Sequence, residues 1–215
     1  MLQTTLLDLP PMLTLQALGC ARGGRPLFSG VSVQLRGGQL LRVQGPNGAG
    51  KTSLLRMLSG LLLPSDGQVL WRGQPIAALR ELFGHERVYL GHAAALKDEL
   101  SPLENLQAAC ALGGHPFDKG PALAALESAG LADFVNLPAG RLSQGQRRRA
   151  GLARLALCSH SPLWVLDEPF NALDTSAAAW LETLLRGHLQ RAGLVVLTSH
   201  QGRPLADVPQ QVLSL

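Results

Sequence analysis

No stretch of this sequence is apolar for long enough to cross a bilayer. The most apolar run, residues 155–166, is broken by Ser159, His160, Ser161 and Pro162 and falls well short of the ~20 apolar residues a spanning helix needs. The Leu-rich start has no basic leader and carries Asp8, Pro10 and Pro11, which argues against a signal peptide. Work at a membrane would therefore require another polypeptide to supply the span. Cysteine is scarce: Cys20, Cys110 and Cys158 lie far apart and form no Cys-x-x-Cys pair. That excludes a disulfide framework and a thiolate metal site, and fits reduced, buried thiols in a cytosolic protein. Neither sign of charge dominates. Nineteen Lys and Arg against 15 Asp and Glu leave +4, too small a surplus to argue for nucleic acid. Internal repeats and low-complexity linkers are also absent.

What is present is a globular composition, 46% hydrophobic and 16% charged over 215 residues, enough for one substantial domain with its own core. Residues 1–11 read as a loose extension. Residues 12–18 and 31–35 alternate as strands, with Gly37-Gly38 as a turn, and 39–43 is a short apolar strand. A glycine-rich loop leads into a helix expected over 51–62. The sequence Pro64-Ser65-Asp66-Gly67 breaks it, and a strand resumes at 68–72. Residues 88–90 form a further strand. Helices follow near 103–112 and 121–129, each ended by glycine. From Ser143 the order is helix to about 158, strand 163–166, helix 176–190 and strand 194–198. Alternating strands and helices imply an α/β fold with a mostly parallel sheet, into which the helical stretch 80–140 is inserted.

Gly45-Pro46-Asn47-Gly48-Ala49-Gly50-Lys51-Thr52 fits the phosphate-binding pattern G-x-x-x-x-G-K-[ST], and it lies between an apolar strand and a helix, where the mechanism needs it. Glycines let backbone N–H groups turn inward as an anion nest, and the following helix aims its positive end at phosphate. Lys51 is expected on the β- and γ-phosphates, and the Thr52 hydroxyl on Mg²⁺. Leu163-Trp164-Val165-Leu166-Asp167-Glu168 is an apolar strand ending in two acids. Adjacent strand residues face opposite ways, so Asp167 can hold a metal while Glu168 polarises a water. These features alone are also compatible with a small-molecule kinase.

Leu142-Ser143-Gln144-Gly145-Gln146 resembles the LSGGQ signature of the nucleotide-binding subunits of ABC transporters, with Gln144 in place of the first glycine and Arg147, Arg148 and Arg149 behind it. Ser143 is a good N-cap for the helix that begins there. Asn171-Ala172-Leu173-Asp174 resembles the family's D-loop, and His200 stands where the family keeps its switch histidine. The resemblance runs from about residue 12 to 213, with the motifs in the family's order. It implies a P-loop NTPase core of ABC type, at 12–80 and 146–215, with an antiparallel β subdomain and a helical insertion at 81–145. It further implies binding of ATP and Mg²⁺ and a head-to-tail homodimer. Each ATP would lie between Gly45–Thr52, with Ser53 beside it, of one copy and Ser143, Gly145, Gln146 and the Asp174 loop of the other. Glu168, His200 and Lys51 are the expected catalytic residues, and Thr52 and Asp167 the expected metal ligands.

Two positions depart from the family pattern. Counting back from Val31-Ser32 puts Arg22 where an adenine-stacking aromatic is expected; a guanidinium plane can also lie over a base. Counting back from Glu104-Asn105-Leu106 puts His92 where the family has a glutamine that links nucleotide to the insertion. Together, Leu90-Gly91-His92, residues 96–101, Ala153-Arg154-Leu155, residues 162–170 and residues 197–201 resemble the ATP-binding subunits of the haem exporter of cytochrome c maturation. That resemblance implies a peripheral subunit on the cytoplasmic face of a bacterial inner membrane. Its partners would be an integral membrane subunit resembling CcmB and associated haem-handling membrane proteins, with no nucleic acid. An ABC exporter of another cargo and a soluble ABC ATPase acting on nucleic acid stand as alternatives. No Cys-x-x-Cys-His is present, so haem binding is not expected of this chain.

Overall fold

The computed structural model describes residues 10–199, 205 and 207–215. The expected loose extension therefore falls largely outside the described residues. Nine strands are present among the described residues: β1 (Leu13–Arg22), β2 (Arg25–Leu35), β3 (Leu40–Gln44), β4 (Asp66–Trp71), β5 (Gln74–Pro75), β6 (Arg87–Leu90), β7 (Leu163–Leu166), β8 (Leu194–Thr198) and β9 (Gln210–Ser214). The helices are α1 (Lys51–Leu58), α2 (Arg80–His85), α3 (Pro102–Leu112), α4 (Lys119–Ser128), α5 (Gln144–Leu157) and α6 (Thr175–Gln190).

Two sheets form. Strands β2-β1-β4-β5 make an antiparallel sheet, and β6-β7-β8-β3-β9 make a five-stranded sheet whose pairings are all parallel. The period of two along each strand divides the core. Leu163 and Val165 of β7, Leu194 and Val196 of β8, and Leu41 and Val43 of β3 face one cluster, which Leu54, Leu55 and Leu58 of α1 share with the antiparallel sheet. Trp164 and Leu166, Val195 and Leu197, and Leu40 face a second cluster, against Leu152 and Leu155 of α5 and Leu181, Leu185 and Leu189 of α6. The parallel strands are thus covered on both faces, which is why they read as continuous apolar runs rather than as alternation. A third cluster joins α3, α4 and α5 through Leu106, Ala122, Leu126, Ala150 and Ala153.

One expectation needs correction. The helix after the glycine-rich loop ends at Leu58, not near residue 62. Gly60, at φ +67°, donates to the Met57 carbonyl, and Leu61 N–H donates to the Arg56 carbonyl. This closing pair of bonds needs a left-handed residue after the cap and stops the helix there. Leu61 and Leu63 are left on the surface. Strand β6 pairs in parallel with β7, and Phe83 of α2 lies in the core cluster of the antiparallel sheet. Strand β9 had no legible signal. Gln210-Gln211-Val212-Leu213-Ser214 is only partly apolar, and it forms by pairing with β3 at the sheet edge.

Candidate functional site

The site lies at the carboxyl ends of β3, β7 and β8, the crevice at which open α/β sheets bind ligands. After β3 the chain enters Gly45–Gly50. Gly50 adopts φ +99°, and a Cβ there would come within 2.9 Å of the Phe28 ring, so both backbone and space call for glycine. The same contact brings the β1–β2 hairpin against the loop. Arg22 and Arg25 pair across the end of that hairpin, and both are exposed. Lys51 opens α1 and is largely buried. Its Nζ donates to the carbonyls of Gly45 at 2.8 Å and Pro46 at 3.0 Å, which poises the ammonium over the loop.

Strand alternation carries the odd-numbered face of β7 on to Asp167 and the even-numbered face of β8 on to Thr198, both toward α1. Because β8 lies between β7 and β3, Thr198 stands in the middle. Its Oγ1 donates to Asp167 Oδ1 at 2.8 Å and accepts the Glu168 N–H at 2.7 Å. The Thr52 hydroxyl donates to Asp167 Oδ2 at 2.7 Å. The hydroxyl of Thr52 and the carboxylate of Asp167 are hard oxygen donors held together beside the phosphate loop. This set suits Mg²⁺, which is usually held by one or two carboxylates plus substrate phosphates.

Glu168 breaks the strand. Its φ is +49°, an uncommon conformation for a residue with a side chain and one that persists where neighbours enforce it. Its carboxylate accepts a hydrogen bond from Asn171 Nδ2 and faces His92, whose Nδ1 is 3.8 Å from Glu168 Oε2. His92 is 73% exposed against 15% for Glu168. The histidine therefore has room to move while the acid is fixed. A cavity of about 440 Å³ is lined by Thr52, His92, Asp167, Asn105 and Arg154 among others. It lies between the sheet edge and the helical segment.

Ser143 caps α5. Its Oγ accepts the Gln146 N–H at 3.2 Å, and Gln146 Oε1 accepts the Ser143 N–H at 2.8 Å. Ser143 is thus the N-cap expected from the sequence, and the capping box occupies one acceptor site of its hydroxyl. Ser143 and Gln144 are exposed. Gly145 approaches the Asn171–Asp174 loop so closely that a Cβ would sit 3.0 Å from the Ala172 carbonyl. Asp174 is an N-cap, its Oδ1 accepting the Ala177 N–H at 2.8 Å. The expected switch residue His200 lies outside the described residues.

Three residues of this neighbourhood escaped assignment from the sequence. Thr198 left a signal, a lone hydroxyl ending an otherwise apolar strand. Asn171 was seen only as part of its loop. Arg148 was hidden in a run of three arginines. Successive helix residues point about 100° apart, and each arginine goes elsewhere. Arg147 pairs with Asp98 at 2.6 Å, and Arg149 donates to the carbonyls of Ala129 and Gly130. Arg148 donates to the carbonyls of Asp167 and Glu168, both at 2.8 Å. Burial pushes the Arg148 pKa down, and the carboxylates of Asp167 and Glu168 pull it back up.

Comparison with known proteins shows the family and the fold. Residues 28–171 match the ABC transporter family. The chain is 54% identical to the cytochrome c biogenesis ATP-binding export protein CcmA of Aromatoleum aromaticum, over 95% of each chain. It is 50% identical to the protein of the same name from Pseudomonas savastanoi pv. phaseolicola, over 89% of each. Among solved structures it resembles an ABC transporter ATP-binding protein from Pyrococcus furiosus, with a TM-score of 0.80 and 27% identity over 94% of this chain and 96% of that one. A dimeric ATP-binding cassette bound to ADP and Pi shares the fold, with a TM-score of 0.75 and 23% identity over 88% of each chain.

Proposed function

The chain belongs to the ABC transporter family, in the branch of the cytochrome c biogenesis ATP-binding export proteins, and from that premise we propose how its residues divide the work of ATP hydrolysis coupled to export. The observation that carries the reading is the bonded set Thr52, Asp167, Thr198 and Glu168 at the mouth of the glycine-rich loop. It joins the phosphate cradle to a fixed carboxylate through one strand end.

ATP enters with its phosphates on the N–H groups of Gly45–Ser53, at the positive end of α1. Lys51 exchanges the carbonyls of Gly45 and Pro46 for the β- and γ-phosphate oxygens and offsets charge that develops there. Thr52 and Asp167 would hold Mg²⁺, which when bound neutralises charge on the phosphate oxygens. Glu168 orients a water toward the γ-phosphate, with its carboxylate kept in place by Asn171 and its backbone by Thr198. His200 is assigned to the γ-phosphate on the family resemblance. Ser143, Gly145 and Gln146 of a second copy close over the phosphates, with the Asp174 loop at the same interface, so each pocket is completed by its neighbour. Arg22 lies against the adenine, and His92 links the nucleotide to the insertion.

The RecA-like core and β subdomain comprise 12–80 and 146–215, and the helical insertion at 81–145 passes closure to the membrane partner. No described helix is long and apolar enough to cross a membrane. The chain works peripherally, on the cytoplasmic face of a bacterial inner membrane, with an integral subunit resembling CcmB and other haem-handling membrane proteins. ATP hydrolysis serves the haem exporter, or release of its chaperone, in cytochrome c biogenesis.

The test is isolation of the tagged full chain from native membranes, identification of the integral protein that comes with it, and measurement of ATP hydrolysis with and without that protein. A CcmB-like partner that stimulates hydrolysis supports the assignment. A different integral partner would redirect the cargo. Stimulation by nucleic acid instead would overturn the export reading.

A further inference from the structure

Arg148 lies in the second turn of α5 and is buried, with 7% of its surface exposed. A guanidinium has five N–H donors in a fixed plane, and here all five are used on backbone carbonyls. Nη2 reaches Asp167 and Glu168, both at 2.8 Å. Nη1 reaches Gly91 at 3.0 Å and His92 at 3.1 Å. Nε reaches Pro169 at 3.4 Å. One side chain thus joins three segments: the helix that starts with the signature, the loop carrying His92 after β6, and the acidic end of β7.

Two of those carbonyls belong to the residues assigned to the metal and the water. Glu168 holds φ +49°, and its peptide groups are gripped on both sides, the N–H by Thr198 and the carbonyl by Arg148. The orientation of its carboxylate therefore depends on where α5 stands. Because the same guanidinium holds the His92 carbonyl, movement of α5 displaces both loops together. A lysine would not do this, since three donors on one rotating nitrogen cannot span carbonyls from two strand ends at once.

We infer that Arg148 is a positioning residue, through which the placement of the signature helix sets the Glu168 carboxylate and the His92 loop as a unit. The inference rests on the assignments of Glu168 to the attacking water and of 143–146 to closure on ATP.

The experiment uses the full chain with its membrane partner and four proteins: wild type, Arg148→Met, Ser143→Ala and the double variant. Because small misplacements of reacting groups are costly, Arg148→Met lowers kcat for ATP about tenfold or more, while KM stays within about threefold because the phosphate loop is untouched. If one linkage carries both effects, the double variant is little worse than the weaker single variant. The inference is overturned if kcat of Arg148→Met stays within about twofold of wild type, if only KM rises, or if the two losses multiply as independent effects do. Arg148→Lys keeps the charge without the planar fork. It repeats the loss if the fork matters, stands in should the methionine variant not fold, and refutes the inference if it restores the full rate. A wild-type complex that does not hydrolyse ATP would instead defeat the underlying assignment.

Discussion

At the carboxyl edge of the parallel sheet, Thr52, Asp167, Thr198 and Glu168 are already bonded to one another across two strand ends and a helix. At the start of α5, the side chains of Ser143 and Gln146 bond each other's backbone N–H, in a capping box exposed to solvent. The first arrangement is fixed by the buried β-core, the second by local helix chemistry alone. A site that is assembled on one side and bare on the other suits a reaction whose last components come from a second copy. Residues buried between strands cannot be supplied late, whereas the start of a helix can meet a phosphate without rearranging.

The sharpest way to break this contrast is to remove the charge at the assembled half. Lys51→Ala should lower ATP turnover by about a hundredfold or more, as loss of a preorganised charge partner does; phosphate release by the complex measures it, and unchanged turnover would detach Lys51 from the chemistry. Glu168→Gln should lose hydrolysis to a similar degree, about a hundredfold, yet still bind ATP and accumulate as a closed pair. Size measurement of the variant with ATP separates this from a simple binding defect, and normal hydrolysis would assign the water to another group. Thr198→Val keeps the shape but leaves the Glu168 N–H and an Asp167 oxygen without their partner. It should cost about 1–3 kcal/mol in urea unfolding and a smaller factor in kcat, about tenfold. Full activity would show that the bonded set does not position the acid.

The smallest effect concerns stability alone. His188 is buried against Trp164, with ring centroids 3.8 Å apart in a stacked arrangement, and burial pushes its pKa down to about 4. The unfolded chain binds this proton near pH 6.5 and the folded chain only near 4, so between those values the unfolded state holds more protons. Stability is therefore intact above about pH 6.5 and falls as pH drops toward 4, by about 3 kcal/mol at most. His188→Phe preserves the stack and should flatten this part of the curve. Urea midpoints at pH 7 and pH 4.5 for both proteins check it, and equal acid sensitivity would point to other groups.

Much of this was legible in advance because several segments determine themselves locally. The strand at 163–166 and the strand at 194–198 were read to the residue, since each is an apolar run bounded by turn-forming neighbours. The glycine-rich loop announced itself by spacing, and the cap at Ser143 by its place just before a helix. The end of α1 was misplaced because Leu61–Leu63 prolong the apolar pattern, while the stop is made by two backbone bonds around Gly60. The roles of Asn171 and Arg148 were not legible for a different reason. Their partners are the carboxylate of Glu168 and backbone carbonyls from remote strand ends, and carbonyls carry no sequence signature.

Periodicity and the spacing of the glycine-rich motif determined by themselves that this chain is an α/β P-loop protein, because hydrophobic period and loop chemistry are properties of neighbouring residues; the ABC family followed from the resemblance of its motifs and their order. Only the tertiary structure decided that β8 lies between β3 and β7, so that Thr198 bridges Asp167 to Glu168, and that one of three adjacent arginines turns inward to hold both acids by their backbone. Strand order and helix rotation arise when separate segments bury a common surface, and no single segment encodes where the others will stand.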